Sequence, residues 1–136
     1  MLKKLLVIIA LLTVTTFAGD YVVIVNKGNS VSSIDKATLK RLFTGRIKKL
    51  GGAVAVPINQ DLGSASAKAF LNDIVGKSPE AYKEYWVAQQ IKGAGSAPMI
   101  QQGDAAIVGM VSSIPGAISY VAEASVTDAV KIIPVQ

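Results

Sequence analysis

Residues 53–76, AVAVPINQDLGSASAKAFLNDIVG, decide the fold class because their apolar period changes part-way. Ala53 to Ile58 is a short apolar run with the profile of a strand. Pro57 lies near its end and donates no ladder hydrogen bond, so an edge or terminal position is expected. Beyond the loop Asn59–Ser64, the residues Ala67, Phe70, Leu71, Ile74 and Val75 recur at i, i+3, i+4, i+7 and i+8. That is one face of a helix, and Gly76 is its stop. Strand, short loop and helix in succession are the building unit of an α/β layer.

The same alternation extends to both sides. Upstream, Tyr21–Val25 reads as a buried strand closed by the turn Asn26-Lys27-Gly28-Asn29. Asp35 is an expected N-cap, with Ile34 before it placed to staple onto Leu39. Leu39, Leu42 and Phe43 form that helix's stripe, and Gly45 suits the left-handed position after it. Downstream, Ser78-Pro79-Glu80 opens a helix running to about Lys92, with Tyr82, Tyr85 and Trp86 on one face as core anchors. A loop at 93–98 follows, then a helix capped by Asp104 that buries Ile107, Val108 and Val111. Pro115-Gly116 turns the chain into a strand at Ala117–Val121, and Lys131–Val135 is a last strand. Four strands interleaved with four helices predict one α/β domain, its central sheet parallel or mixed and covered by helices.

The amino terminus reads as a targeting signal. Lys3 and Lys4 precede an unbroken apolar run from Leu5 to Leu12, and Thr16-Phe17-Ala18 places small residues where a signal peptidase reads them. A transmembrane anchor needs about 20 apolar residues, and the run ending at Ala18 is shorter. Residues 1–18 are thus expected to be removed, leaving 19–136 as a periplasmic or secreted domain with no membrane-spanning segment. The net charge falls from +5 to +3, because Lys3 and Lys4 leave with the leader. So mild a charge on an exported domain excludes nucleic acid as the expected partner. There is no Cys and no His, which excludes lipid attachment through cysteine, disulfides, thiol nucleophiles, the usual zinc sites and a Ser-His-Asp triad. No metal or cofactor is expected.

Three groups of residues could carry function. Gly63, Ser64, Ala65 and Ser66 stand where a helix begins, so unpaired amides point outward and small side chains let a ligand approach. The competing reading is that Ser64 merely caps the helix. Lys36, Lys40, Arg41, Arg46, Lys48 and Lys49 are opposed only by Asp35 and could draw in an anion or dock an acidic partner. A solvated helix face is the plainer reading. Asp61, Ser64 and Tyr120 could serve a hydrolase, but no base is assembled beside a nucleophile, so an enzyme is not expected.

Three blocks resemble the second lobe of periplasmic phosphate-binding proteins of ABC transporters. Ile34 to Lys49, IDKATLKRLFTGRIKK, is similar to that family's L-x-x-x-x-L-x-x-I-F-x-G-K-I-x-x-W. The strand Val54–Ile58 and the loop Gln60–Ser66 correspond to a strand and a loop of the form R-x-D-G-S-G-T. Pro115–Val121, PGAISYV, is similar to P-G-A-I-G-Y-V. The resemblance implies a single lobe of the type II binding-protein fold, with Gln60, Asp61, Gly63, Ser64, Ala65 and Ser66 as the ligand-binding loop. Gln60 stands in place of the family's Arg, Leu62 of its Asp and Ala65 of a Gly, while Ser66 supplies a hydroxyl for Thr. Losing the Arg removes a bidentate charged donor to an oxyanion.

The expected function is therefore an exported module that recognises phosphate or a similar small oxyanion at a helix N-terminus, linked to ABC-type uptake or sensing. The alternative is an adaptor that kept the scaffold, lost the ligand and docks a membrane transporter or sensor through Lys36–Lys49. The targeting reading is checked by the intact mass of the protein recovered from outside the cytoplasm. It should begin at Gly19, and a mass retaining Lys3 and Lys4 would refute cleavage.

Overall fold

The computed structural model describes residues 21–136. The expected leader, residues 1–18, lies outside them. Strand β1 (Val22–Asn26) is followed by helix α1 (Lys36–Phe43), a hairpin of β2 (Lys49–Leu50) and β3 (Ala53–Val54), and strand β4 (Val56–Asn59). Helix α2 (Ala65–Phe70) runs on as a π-helical turn over Leu71–Val75. Helix α3 (Pro79–Ile91), strand β5 (Met99–Ile100), helix α4 (Asp104–Ser113), strand β6 (Ala117–Val121), a 3₁₀ turn at Glu123–Ser125 and strand β7 (Val130–Ile133) complete the order.

The main sheet has the order β5-β4-β6-β1-β7. β4 runs parallel to both β5 and β6, whereas β1 is antiparallel to β6 and β7. The sheet is thus mixed, as the sequence predicts. Alternation along the strands sends side chains to two faces. Val23, Val25, Ile118 and Tyr120 join the larger core beneath α1, α2 and α3, while Ile24, Ala117 and Val121 join the smaller core beneath α4. Helices therefore cover both faces.

The local signals act as expected at most helix ends. Asp35 occupies the N-cap of α1, but its carboxylate accepts from the Thr38 hydroxyl rather than from a backbone amide. That bond holds the Asp35 carboxyl below its ordinary range. After α1, Gly45 adopts φ +77°, and the Arg46 amide donates to Arg41 O at 2.8 Å, a Schellman closure. Ser78 caps α3, its Oγ accepting from the Ala81 amide at 3.1 Å.

Four expectations are corrected. Ala53–Ile58 is not one strand: it breaks at Ala55, so that Ala53–Val54 folds back on Lys49–Leu50 while Val56–Asn59 enters the main sheet. Pro57 is not on an edge strand, because β4 lies between β5 and β6. It is tolerated because β5 pairs only from Ile58 onward, leaving no ladder acceptor opposite Pro57. Seven strands rather than the expected four lie among the described residues, because β2, β3 and β5 are each two residues long, too short to leave a period in sequence. Asp104 is the first residue of α4 rather than its cap, which is Gly103, and its side chain is used elsewhere.

Gly116 shows how tightly the hairpin is seated. Its carbonyl accepts from the Val56 amide at 2.8 Å, and a Cβ added there would stand 1.7 Å from the Val54 carbonyl oxygen. Backbone cannot give way as a side chain tip can. Gly116→Ala should therefore destabilise the domain by about 3 kcal/mol or more, read as a lower urea midpoint.

Candidate functional site

The loop between β4 and α2 is held from beneath by a buried chain of hydrogen bonds. The Gln60 amide donates to Tyr120 Oη at 3.3 Å, and that hydroxyl donates to Asn59 Oδ1 at 2.9 Å. Asn59 Nδ2 donates to Tyr82 Oη at 3.1 Å, and the Tyr82 hydroxyl donates to Phe43 O at 2.6 Å. Both polar ends of the Asn59 side chain and the two tyrosine hydroxyls thereby have partners at a buried point, where an unpaired group costs about 1–3 kcal/mol. Burial pushes the Tyr120 hydroxyl far above the ordinary tyrosine range and raises Tyr82 as well. Both hydroxyls therefore stay protonated at neutral pH. Phe70 stacks on the Tyr120 ring at 4.0 Å between centroids and locks it further.

The six loop residues are not used alike. Gln60 is buried and turned inward: Nε2 donates to Asp104 Oδ1 at 2.6 Å and to Tyr120 O at 3.1 Å. Leu62 is a core residue, so the position where the resembling family has an acid serves packing here. Asp61 is exposed and accepts the Gly63 amide at 3.3 Å, and its carbonyl accepts from the Ser64 amide at 2.9 Å. Ser64 caps α2, with Oγ accepting from the Ala67 amide at 3.1 Å. Ala65 and Ser66 form the first turn of α2.

Gly63 is exposed, and among the described residues a Cβ added to it would approach nothing closer than Asp61 Oδ1, at 3.8 Å. The described residues thus leave the Gly63 side of the loop uncovered. Its surroundings include a second helix start. β5 lies parallel to β4, the Gln101 amide donates to Asn59 O at 2.8 Å, and the chain then enters α4 at Asp104. The Asp104 carboxylate accepts from Gln60 through one oxygen, and from the Ala122 amide (3.1 Å) and Ser125 Oγ (2.6 Å) through the other. Gln60, in the loop that leads to α2, is thus bonded to the first residue of α4 at the carboxyl ends of two parallel strands. That is the usual ligand crevice of an open α/β sheet. Sequence reasoning missed Asn59 and the true role of Asp104. An Asn ending a strand and an Asp before an apolar run both read as ordinary turn and cap residues.

The basic residues lie apart from this loop. Lys40, Arg41 and Arg46 gather with Lys77 around a cleft at the end of α1. Tyr82 and Trp86 are buried and Tyr85 half-buried, as anchors of the core. No helix among the described residues is long and apolar enough to cross a membrane.

Gln60 and Ser64 therefore make separable contributions to stability. Gln60→Ala strands a carboxylate oxygen and should cost about 1–3 kcal/mol. Ser64→Ala removes one cap and should cost about 1 kcal/mol. Urea unfolding of both variants measures this, and Gln60→Ala without effect would refute the positioning role given to Gln60.

No protein-family model matches the sequence, and no curated protein matches it. Solved structures do. A phosphate transport receptor of ABC type from Vibrio cholerae superposes with a TM-score of 0.64 at 13% identity, over 85% of this chain and 45% of the receptor. An ABC-transporter substrate-binding protein with bound phosphate from Clostridium perfringens gives 0.57 at 22% identity, over 85% and 44%. PstS from Borrelia burgdorferi gives 0.61 at 18% identity, over 85% and 47%. The chain spans less than half the length of the structures it matches. Its fold is that of one lobe of the substrate-binding proteins that serve phosphate ABC transporters.

Proposed function

We propose that this domain is an exported, non-enzymatic binding module that takes phosphate or a similar small oxyanion at the start of α2. The observation that carries the reading is the loop Gly63–Ser66 at the start of α2, with Gly63 exposed and the loop tied through Gln60 to the start of α4. Amides at a helix start carry partial positive charge, and an oxyanion there is stabilised by them and by the aligned peptide dipoles. Gly63 leaves the approach clear, the Ala65 amide supplies a donor at the helix start, and the Ser64 hydroxyl lies within the same turn. Asp61 completes the loop from its outer side. The likeness to substrate-binding proteins, one of them holding phosphate, supports the same reading.

Affinity should be modest, for two physical reasons. No Arg stands in the loop, so the strongest kind of contact to a phosphoryl oxygen is missing. Asp61 already occupies the Gly63 amide, so an arriving anion must displace a carboxylate. In two-lobed binding proteins, closure about a hinge removes water from the ligand. We infer that here a second surface, from a membrane transporter or sensor, completes the site.

An adaptor without a ligand is the second reading, favoured by the inward turn of Gln60 and the burial of Leu62. Calorimetric titration of the exported protein with phosphate and then sulfate at low salt separates the two. The binding reading predicts saturable heat and a raised Tm at millimolar anion. Ser64→Ala combined with Ser66→Ala should abolish both, and Asp61→Asn should tighten binding several-fold. Absence of heat and of any thermal shift would leave the adaptor reading.

A further inference from the structure

Four cationic side chains drawn from three stretches of chain surround one cleft of about 420 Å³, lined chiefly by Lys40, Arg41, Thr44, Arg46, Lys77 and Tyr85. The walls are fixed. The Schellman closure after α1 folds residue 46 back on Arg41, whose carbonyl accepts the Arg46 amide at 2.8 Å. Tyr85 donates its hydroxyl to Thr44 O at 2.7 Å, which pins α3 to the end of α1. Lys77 holds its ammonium 5.6 Å from the centre of the Tyr85 ring, within cation–π range. No carboxylate lines the cleft among the described residues. Asp35, at the far end of α1, is the acid whose charge interacts with Arg41.

The fold accounts for only part of this arrangement. Lys40 and Arg41 lie in the last turn of α1, where positive charge offsets the helix dipole. Arg46 and Lys77 lie outside that helix, and gathering like charges without a counter-charge works against stability. The cleft is also roomy. A water claims about 30 Å³ of liquid volume, so this space is larger than one tetrahedral oxyanion fills.

We propose that the cleft is a second anion site, distinct from the α2 loop, that binds an oligophosphate of two or three linked phosphoryl groups. Each guanidinium presents a planar fork matched to a pair of phosphoryl oxygens, and each ammonium adds a compact charge that follows the chain of phosphates. A ligand with several linked negative charges engages all four cations at once, as orthophosphate cannot. The two sites are spatially separate. Lys77 follows the far end of the helical run that Ser64 opens, and segments of 6 and 5 residues lie between them, a distance on the order of 16 Å.

The test is calorimetry of the exported protein with tripolyphosphate, pyrophosphate and orthophosphate at matched ionic strength. Tripolyphosphate should bind saturably and at least tenfold more tightly than orthophosphate. Lys40→Gln with Arg46→Gln should abolish this binding without lowering the Tm of the free protein, and Lys77→Gln should weaken it. The Ser64→Ala, Ser66→Ala variant should retain it. Heat no greater than that of sodium chloride, or tripolyphosphate binding that survives the Lys40→Gln, Arg46→Gln change, would overturn the proposal. Loss of orthophosphate binding in the serine variant alone bears on the α2 loop and leaves this site standing.

Discussion

The hydrogen-bond chain from Gln60 through Tyr120, Asn59 and Tyr82 to Phe43 O is the constraint on which the rest of the domain rests. It joins β4, β6, α3 and the end of α1 at one buried point. Apolar packing alone could hold these elements near each other in several arrangements. A polar chain in which each donor has one acceptor permits a single arrangement, because any slip leaves a buried group unpaired. The aromatic rings of Tyr21, Phe43, Phe70 and Tyr120 then pack edge-on and stacked around it. The loop that opens α2 inherits its position from this anchor, since Asn59 is the last residue of β4 and Gln60 the first of the loop.

Much of the fold is legible in the residues themselves. The stripe from Ala67 to Val75 specifies a helix, and Ser78-Pro79 and Gly45 mark helix ends where the structure has them. Tyr82 and Trp86 are core residues, as their spacing implies. The illegible parts share a cause. Strands of two residues carry no alternation, so β2, β3 and β5 leave no trace. Pro57 looks like an edge residue because sequence shows the missing donor and not the neighbour that would have needed it.

The candidate site is legible in outline only. Gly63–Ser66 falls at a helix start as its composition suggests, and Ser64 is indeed a cap. What spacing could not reveal is that Gln60 and Leu62 face inward, one bonded to Asp104 and Tyr120 and the other packed in the core. Partners 44 and 60 residues apart in sequence decide that orientation. Likewise, the sequence lists six basic residues along α1 and its exit, but Lys77 joins three of them only in space.

The order of the sheet also governs when the domain can form. β1 stands between β6 and β7, and its residues pair with Val121 and Ile133. Its ladder partners are therefore both made last. Until those strands exist, β1 has nothing to pair with and the larger core lacks its central strand. Contacts so distant along the chain close slowly, because a long loop must be ordered before any of them forms. A polypeptide with this connectivity completes its main sheet only once the last of the described strands has been made.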